Sequence, residues 1–164
     1  MPPPTELNPN ATAYADKLRV RVCGICIQQD KLLLVRHGKT IGNNAFWAPP
    51  GGGLHYGETM QACLKREMLE ETGLEVRVER FLFVNEFLQP PLHAVELFFE
   101  VRITGGNLRT GTDPEAAPGE ALLEHVQWLT IKELQNIPHK DKHRALQLLL
   151  SLDDLLGLNH YFIA

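Results

Sequence analysis

The stretch REMLEETG, Arg66–Gly73, places three glutamates in the last two turns of a predicted helix and then ends on a glycine. The helix is predicted from about Thr59 to Thr72, because glycine at position 73 suits the left-handed conformation that closes a helix. At about 100° per residue, the three carboxylates share one face of this helix. They belong to Glu67, Glu70 and Glu71.

This acidic face continues an apolar stripe on the same side of the helix, formed by Met60, Cys63 and Leu64. An apolar stripe faces the protein interior, so the glutamates are expected to point along or just beside the buried direction. Acidic groups in a last turn oppose the helix dipole at roughly 0.3–1 kcal/mol each, and partial burial penalises unpaired charge further. A divalent cation would remove this penalty, since Mg²⁺ and Mn²⁺ prefer carboxylate oxygens as ligands. The alternative is a solvated acidic surface without a ligand.

A glycine-rich turn, WAPPGGGLHYGE at residues 47–58, lies immediately before the helix. Glycine backbone can approach a phosphate or a metal closely, and this turn leads into a helix N-terminus. No Gly-Lys-Ser/Thr follows the glycines, so the turn is not a Walker A loop. A glycine-rich turn, a helix and clustered carboxylates together indicate chemistry on a diphosphate.

Strand-like segments alternate with helix-like segments along the chain. A hairpin is predicted from KLRVRVCGICIQQ, which starts at Lys17, through a turn at Asp30 and Lys31 to LLLVRH. Residues 38–53 are predicted to form a loop without regular structure, because glycine, asparagine and proline are frequent there. Three later strands are predicted: EVRVERFLFVNEFL, AVELFFEVRI and HVQWL. In the second of these, apolar residues alternate with polar or exposed-type residues at Val95, Leu97, Phe99, Val101 and Ile103.

Two helices are predicted near the end of the sequence. The first, IKELQN, is stopped by Pro138, and the second, DKHRALQLLLSLDDLLG, has Asp141 as its N-cap. The second is predicted to be amphipathic from the spacing of Ala145, Leu148, Leu149, Leu152, Leu155 and Leu156. Interleaved strands and helices predict an α/β fold with a mixed sheet.

Length and charge indicate one globular domain with a small-molecule partner. The chain has 164 residues, 44% of them hydrophobic, which is enough for a sizeable core. A net charge of -4 gives no global attraction to nucleic acid or to an anionic membrane. The N-terminus lacks the apolar run of a signal peptide, and no stretch resembles a membrane span, so a cytoplasmic protein is expected. The domain is expected at residues 17–157, between a flexible arm at 1–16 and a tail at 158–164.

Nine positions around the acidic helix resemble the Nudix box, Gly-x5-Glu-x7-Arg-Glu-U-x-Glu-Glu-x-Gly-U, in which U is aliphatic. The matching residues are Gly52, Glu58, Arg66, Glu67, Met68, Glu70, Glu71, Gly73 and Leu74. His55 and Tyr56 depart from a looser habit of the family, in which an acidic residue often precedes the Gly-Glu pair. The resemblance implies an α/β/α sandwich, with a mixed β-sheet between helices, and hydrolysis of a nucleoside diphosphate linked to another moiety.

The resemblance also implies roles for individual residues. Mg²⁺ or Mn²⁺ would be held by a carbonyl and three carboxylates, those of Gly51, Glu67, Glu70 and Glu71. The metal would neutralise the diphosphate and lower the pKa of an attacking water. Arg66 would orient a glutamate, and Glu58 would brace Arg66. The general base would be a glutamate of the box, which we favour, or one in a later loop; the candidates are Glu67, Glu70, Glu115, Glu120 and Glu124.

Substrate recognition is less clearly marked in the sequence. Phe46 and Trp47 could stack a base, although such residues are more typical of core or loop packing. Arg36, at the end of a strand, could contact phosphate or lie at a solvated hairpin end. The backbone of Gly52 and Gly53 completes the candidate substrate site.

These features predict a Mg²⁺-dependent pyrophosphohydrolase that acts on an ADP-ribose-like nucleotide sugar or on a nucleoside triphosphate. A second hypothesis is a non-catalytic sensor of nucleotide metabolites, against which the complete carboxylate set argues. A third is an isomerase of a diphosphate-bearing lipid precursor, for which no catalytic Cys and Glu partners can be assigned. The predicted partner is a small nucleotide, with no nucleic acid and no membrane, and the resemblance leaves a homodimer open.

Overall fold

The computed structural model describes residues 14–38, 45–111, 123–158 and 161–163. Its strands are β1 (Lys17–Ile25), β2 (Ile27–Gln28), β3 (Lys31–His37), β4 (Phe46–Ala48), β5 (Gly51–Gly53), β6 (Leu74–Gln89), β7 (Leu92–Gly106), β8 (Leu123–Leu129) and β9 (Tyr161–Ile163). Its helices are α1 (Met60–Thr72), α2 (Ile131–Asn136) and α3 (Asp154–Gly157), with 3-10 turns at His139–Asp141 and Arg144–Leu146.

The described strands form two sheets. The larger sheet has the order β5-β1-β7-β6-β9, in which β1 is parallel to β7 and β6 is antiparallel to β7. In the smaller sheet, β3 pairs antiparallel with β2, β4 and β8. Because one of these pairs is parallel and the other is antiparallel, the larger sheet is mixed, as the sequence predicts.

Two hydrophobic clusters cover the two faces of the larger sheet. On one face, α1 packs through Cys63, Leu64 and Met68. On the other face, the C-terminal segment covers a cluster that contains Phe83 and Phe98, whose rings stack with centroids 4.5 Å apart. Helices therefore lie on both sides of a mixed sheet, and the predicted α/β class is confirmed. None of the helices in the described ranges combines the length and apolar character that a bilayer crossing demands.

α1 has nearly the bounds that its capping residues predict. The Thr59 side chain accepts a hydrogen bond from the N–H of Ala62 at 3.1 Å, which satisfies one free donor of the first turn. Gly73 has a φ of 72°, the left-handed conformation expected of the closing residue. The prediction for Met60 is wrong, because this residue is 44% exposed. The buried stripe begins one turn later.

Two predictions about the strands before α1 are corrected. The first strand-like segment is divided at Cys26 into β1, in the larger sheet, and β2, in the smaller sheet. Of these two strands, only β2 forms a hairpin with β3. The turn lies at Gln29 and Asp30, whose φ values of 51° and 57° suit a tight two-residue turn. Residues 38–53 contain the short strands β4 and β5, because their backbones pair with β3 and β1.

The buried positions of β7 match the predicted alternating set only at Val101. Ala94, Glu96 and Phe98 are buried, whereas Val95 and Leu97 are only half-buried. Both faces of the sheet are covered, so the alternation of apolar residues does not identify a single buried face.

The long C-terminal helix predicted from the leucine spacing does not form. Lys142 and His143 are buried in non-helical backbone, where Lys142 Nζ donates to the Leu134 carbonyl at 2.8 Å and His143 bonds to Glu96. Because of these hydrogen bonds, the segment forms 3-10 turns and the short α3 instead of one continuous helix. Leu148, predicted to face inward, is 85% exposed. The buried members of the predicted stripe are Ala145, Leu149, Leu152 and Leu155.

Candidate active site

The glutamates of α1 meet the glycine backbone of β5, an edge strand of the larger sheet. Glu67 and Glu71 are buried, at 7% and 4% exposure, whereas the Glu70 side chain is 30% exposed. A Cβ added to Gly52 would overlap the Glu67 carboxylate. Because Gly52 has no side chain, the Glu67 carboxylate can lie directly against the backbone.

Arg66 connects three carboxylates. Its Nε and Nη2 donate to the two oxygens of Glu58 at 2.9 and 3.0 Å, which is a bidentate pair. Its Nη1 donates to Glu67 at 2.7 Å and to Glu70 at 3.2 Å, and Nη2 also donates to the Gly53 carbonyl at 3.2 Å. The hydrogen bonds from Arg66 lower the pKa of Glu58 to about 2. Arg66 is thus fixed by one glutamate while it holds two others.

The Gly51 peptide joins α1 to β1. Its N–H donates to Glu71 Oε2 at 2.9 Å, and its carbonyl accepts from Arg21 Nη2 at 3.1 Å. A Cβ on Gly51 would collide with the Val22 carbonyl of β1, so this close approach requires glycine. The carbonyl that the resemblance implies as a metal ligand is therefore already bonded to a guanidinium.

The donors at this site suit a hard divalent cation. Glu67 and Glu70 are turned toward Arg66, and Glu71 is turned toward the Gly51 N–H. Within the described ranges, no three acidic, histidine or cysteine side chains converge as a ready metal cluster. Carboxylates would have to turn from their present partners to bind a metal, and the fit rests on the all-oxygen donor set beside the glycine backbone.

A second polar cluster crosses the centre of the larger sheet. Arg21 and Glu96 are register partners between β1 and β7, and Asn85 faces Glu96 from β6. Glu96 is 5% exposed, and its Oε2 accepts from Asn85 Nδ2 at 2.9 Å. His143 Nε2 lies 2.7 Å from the same oxygen. Because His143 Nδ1 accepts from the Ala145 N–H at 3.1 Å, we assign the ring proton to Nε2, which then donates to Glu96.

Charge in this cluster is balanced between Arg21 and Glu96. Arg21 Nη1 lies 3.8 Å from Glu96 Oε1. Burial raises the pKa of Glu96, but His143, Arg21 and Asn85 together lower it to about 2. Burial lowers the pKa of Arg21, and surrounding anionic groups, Glu96 among them, more than offset that effect. Both groups are therefore charged, Glu96 in the interior and Arg21 with part of its side chain exposed.

A cavity of about 1000 Å³ opens between β4, β6 and the C-terminal segment. Asn85 and His143, from the polar cluster, line it together with Phe46 and Phe87. Exposed basic side chains also line it, those of His139, Lys140 and Arg144. The glutamates of α1 are not part of its lining. The cavity and the carboxylates are thus separate sites, and the polar cluster lies between them.

Sequence reasoning missed this polar cluster, although its members carry a signal. Arg21 lies in the otherwise apolar end of β1, and Glu96 lies among apolar residues of β7. A buried charge is costly unless it is paired, so one opposite charge in each of two apolar strands indicates that the strands are neighbours.

The two predicted aromatic residues have different surroundings. Phe46 lines the cavity, and its ring meets the His143 ring edge-on with centroids 6.4 Å apart. Trp47 packs against the hydrophobic cluster that contains Phe98, and its backbone carbonyl accepts from the His143 N–H at 2.8 Å. Phe46 is therefore the one of the two that a ligand in this cavity could touch.

The remaining predicted residues lie elsewhere or beyond the described ranges. Arg36 pairs with Glu124 at 2.9 Å, with both side chains more than a third exposed. Neither residue lines the cavity. Glu115 and Glu120, two candidates for the general base, lie outside the described residues.

Comparison with known proteins gives matches over most of the chain. A family model described as the NUDIX domain matches residues 17–150. An ADP-ribose pyrophosphatase from Methanocaldococcus jannaschii is 35% identical over 103 residues, which are 60% of this chain and 59% of that protein. A MutT-like protein from Streptomyces ambofaciens is 32% identical over 116 residues, 70% of this chain and 66% of that protein. The chain therefore spans about three fifths to two thirds of these relatives.

Solved structures show the same fold at lower identity. A NUDIX hydrolase from Nitrosomonas europaea has a TM-score of 0.62 and 20% identity, over 85% of this chain and 86% of that chain. Its likeness supports the α/β fold with a mixed sheet and flanking helices.

Proposed function

Because the chain belongs to the NUDIX family, we propose that it is a Mg²⁺-dependent pyrophosphohydrolase, which cleaves a nucleoside diphosphate linked to another moiety. The proposed substrate is an ADP-ribose-like nucleotide sugar or a nucleoside triphosphate. The proposed catalytic unit is residues 17–157, between an arm at 1–16 and a tail at 158–164. Its proposed partners are small nucleotides and a second copy of the chain in a homodimer, with neither nucleic acid nor membrane.

One observation carries the proposal: buried carboxylates of α1 lie directly on the glycine backbone of β5. The carboxylates of Glu58, Glu67 and Glu70 share one guanidinium, that of Arg66. Excess negative charge in a partly buried place is costly, and an oxygen-preferring dication would offset it.

Each residue of the site has a proposed task. The proposed ligands of Mg²⁺ or Mn²⁺ are the Gly51 carbonyl and the carboxylates of Glu67, Glu70 and Glu71. Such an ion supplies charge neutralisation of the diphosphate and a lowered pKa of an attacking water. Arg66, braced by Glu58, would keep the Glu67 carboxylate in place against Gly52.

Glu70 is also the proposed general base, through the carboxylate oxygen that does not bind the metal. Its carboxylate is more exposed than that of Glu67, and its bond to Arg66 is the longer of the two, 3.2 against 2.7 Å. It can therefore leave Arg66 more easily and accept a proton from the water that attacks phosphorus. Glu124 is a weaker candidate, because its carboxylate is already paired with Arg36.

The cavity supports a nucleotide as the substrate. A volume of about 1000 Å³ has room for a nucleoside, and the rings of Phe46 and Phe87 at its wall could stack a base. The name of the Methanocaldococcus relative favours ADP-ribose among the nucleotide sugars.

The test is to incubate the pure protein with nucleotide sugars, triphosphates and dinucleotides, with and without Mg²⁺, and to identify the products. Release of a nucleoside monophosphate and a phosphorylated partner only with Mg²⁺ would support the proposal. Tight binding without turnover would instead support the sensor hypothesis.

The double variant Glu70→Gln/Glu71→Gln should abolish turnover and keep its circular dichroism spectrum, whereas Glu79→Gln, an exposed position on β6, should leave turnover unchanged. Full activity in the double variant would refute the assignment.

A further inference from the structure

Arg21 lies outside the nine positions that resemble the Nudix box, and nothing in the sequence pattern assigns it a role. Resting on the proposed function, we infer that Arg21 binds the diphosphate of the substrate, between the cavity that takes the nucleoside and the carboxylates that take the metal. Arg21 is then a substrate-binding residue rather than a support of the sheet.

Arg21 has unused capacity for hydrogen bonds. A guanidinium carries five N–H donors, and in the described part of the chain one bond at hydrogen-bond distance is made, to the Gly51 carbonyl at 3.1 Å. Its Nε is buried without a partner among the described residues. Glu96, at 3.8 Å, is near enough for charge pairing but too distant for a hydrogen bond. The side chain is 26% exposed, so a ligand can reach it from solvent.

The position of Arg21 lies between the two sites of the proposed reaction. Toward α1, the Gly51 peptide connects Arg21 with Glu71. Toward the cavity, Glu96 connects it with Asn85 and His143, which both line the cavity wall. A nucleotide with its base in the cavity and its scissile bond at the carboxylates would pass its phosphates beside this guanidinium.

Electrostatics also favours an anion at this point. Arg21 already occupies the Gly51 carbonyl, which is a proposed ligand of the metal. A carbonyl oxygen has two lone pairs and can serve both groups, but two cations on one oxygen repel each other. A diphosphate placed against both would remove this repulsion, and the planar guanidinium matches phosphate oxygens in a bidentate pair.

The experiment compares AMP and adenosine, which differ by one phosphate, in calorimetric titrations without metal. We expect the wild-type chain to bind AMP at least about tenfold more tightly than adenosine, and Arg21→Met to reduce this preference to below about threefold. The affinity for adenosine should change by less than about twofold, because the cavity does not contain Arg21. Arg19→Met is the matched control, since it removes an arginine two residues away on the same strand and should keep the preference.

Three results would overturn the inference. One is a wild-type chain without preference for AMP, and another is an Arg21→Met variant that keeps the wild-type preference. If Arg21→Met does not fold, Arg21→Lys replaces it; this variant keeps the charge but loses the bidentate geometry, so its preference should fall about threefold. An unchanged preference in a folded Arg21→Lys would be the third such result. None of these binding measurements needs turnover. They can therefore refute the role of Arg21 in phosphate binding without refuting the hydrolase proposal, which is tested by the substrate panel.

Discussion

At Gly52, the lack of a side chain decides where the Glu67 carboxylate can lie. The Glu67 carboxylate occupies the space that a Cβ on residue 52 would fill. The N–H of the preceding residue, Gly51, donates to Glu71, and its carbonyl accepts a hydrogen bond from Arg21. Consecutive glycines thus let the acids of α1 rest directly on the backbone of β5.

This contact predicts the effect of the smallest side chain at Gly52. Gly52→Ala should weaken Mn²⁺ binding about tenfold, because the new methyl group displaces the Glu67 carboxylate. Calorimetric titration measures the affinity, and circular dichroism checks that α1 is retained. Gly157→Ala is the control, since nothing lies within 4 Å of a Cβ built there. Equal Mn²⁺ affinities in the two variants would show that the glycine does not shape the site.

The bidentate pair between Arg66 and Glu58 makes a separate prediction. In Arg66→Met the pKa of Glu58 should rise from about 2 toward its ordinary value of 4.5, because the hydrogen bonds that lower it are lost. Turnover should fall about 100-fold, since Glu67 loses the group that orients it. An NMR pH titration of the glutamate carboxyl carbons measures the first effect. Glu58 titrating at the same pH in the variant and the wild type would contradict the assignment.

At the scale of the element, α1 depends on the glycine that closes it. Gly73 and Gly57 both have left-handed φ values, 72° and 82°. A Cβ at Gly73 would meet the Asn107 carbonyl oxygen at 2.5 Å, whereas nothing lies within 4 Å of one at Gly57. Gly57→Ala should therefore cost about 1–2 kcal/mol in free energy of unfolding, and Gly73→Ala clearly more. Urea denaturation of both variants tests this difference, and equal losses would mean that the clash at Gly73 is relieved without cost.

The same helix shows what the sequence could predict. Thr59 and Gly73 act within one turn of the helix end, so their residue types are sufficient to predict where α1 begins and ends. The C-terminal segment has a leucine spacing that is just as regular, and no long helix forms there. Its path is decided by Lys142 and His143, whose partners lie on α2 and β7. Periodicity contains no information about such distant partners.

The candidate site likewise has one part that local sequence predicts and one part that depends on distant contacts. The glutamates and Arg66 come from one short stretch, and their spacing on a helix brings them together wherever that helix packs. Arg21 and Glu96 are 75 positions apart in the sequence (96 minus 21) and meet only because β1 pairs in parallel with β7. The spacing of the glutamates thus predicts the acidic half of the site, whereas the two opposite charges indicate only that their strands are neighbours and do not specify the register that pairs Arg21 with Glu96.

For the whole molecule, the buried charge of Glu96 predicts how stability depends on pH. Its folded-state pKa is about 2, against an ordinary value of 4.5, so the unfolded chain binds more protons between these values. The contribution of Glu96 is present above pH 4.5 and is lost as the pH falls toward 2. Glu96→Gln should flatten this acid dependence and cost about 1–3 kcal/mol at pH 7, because His143 and Asn85 lose a charged acceptor and the partly exposed Arg21 loses its ion-pair partner. Urea denaturation from pH 2 to pH 7 is the measurement, and parallel curves for variant and wild type would contradict it.

The larger sheet joins the two halves of the proposed enzyme. Its edge strand β5 contacts the carboxylates of α1, and from its centre Asn85, which is hydrogen-bonded to Glu96, lines the cavity. We therefore expect substrate binding and metal binding to be separable by mutation, with Arg21 affecting the first and the glutamates of α1 affecting the second.

A Mn²⁺ titration of the wild type beside Glu70→Gln/Glu71→Gln tests the central claim most directly, because it asks whether the acidic face of α1 binds a dication at all. We predict saturable binding by the wild-type protein at or below about 1 mM, and affinity at least about tenfold weaker in the double variant. Glu79→Gln should bind as the wild type does. A wild-type protein that binds neither Mn²⁺ nor Mg²⁺ at millimolar concentration, or a double variant that binds equally well, would contradict the claim.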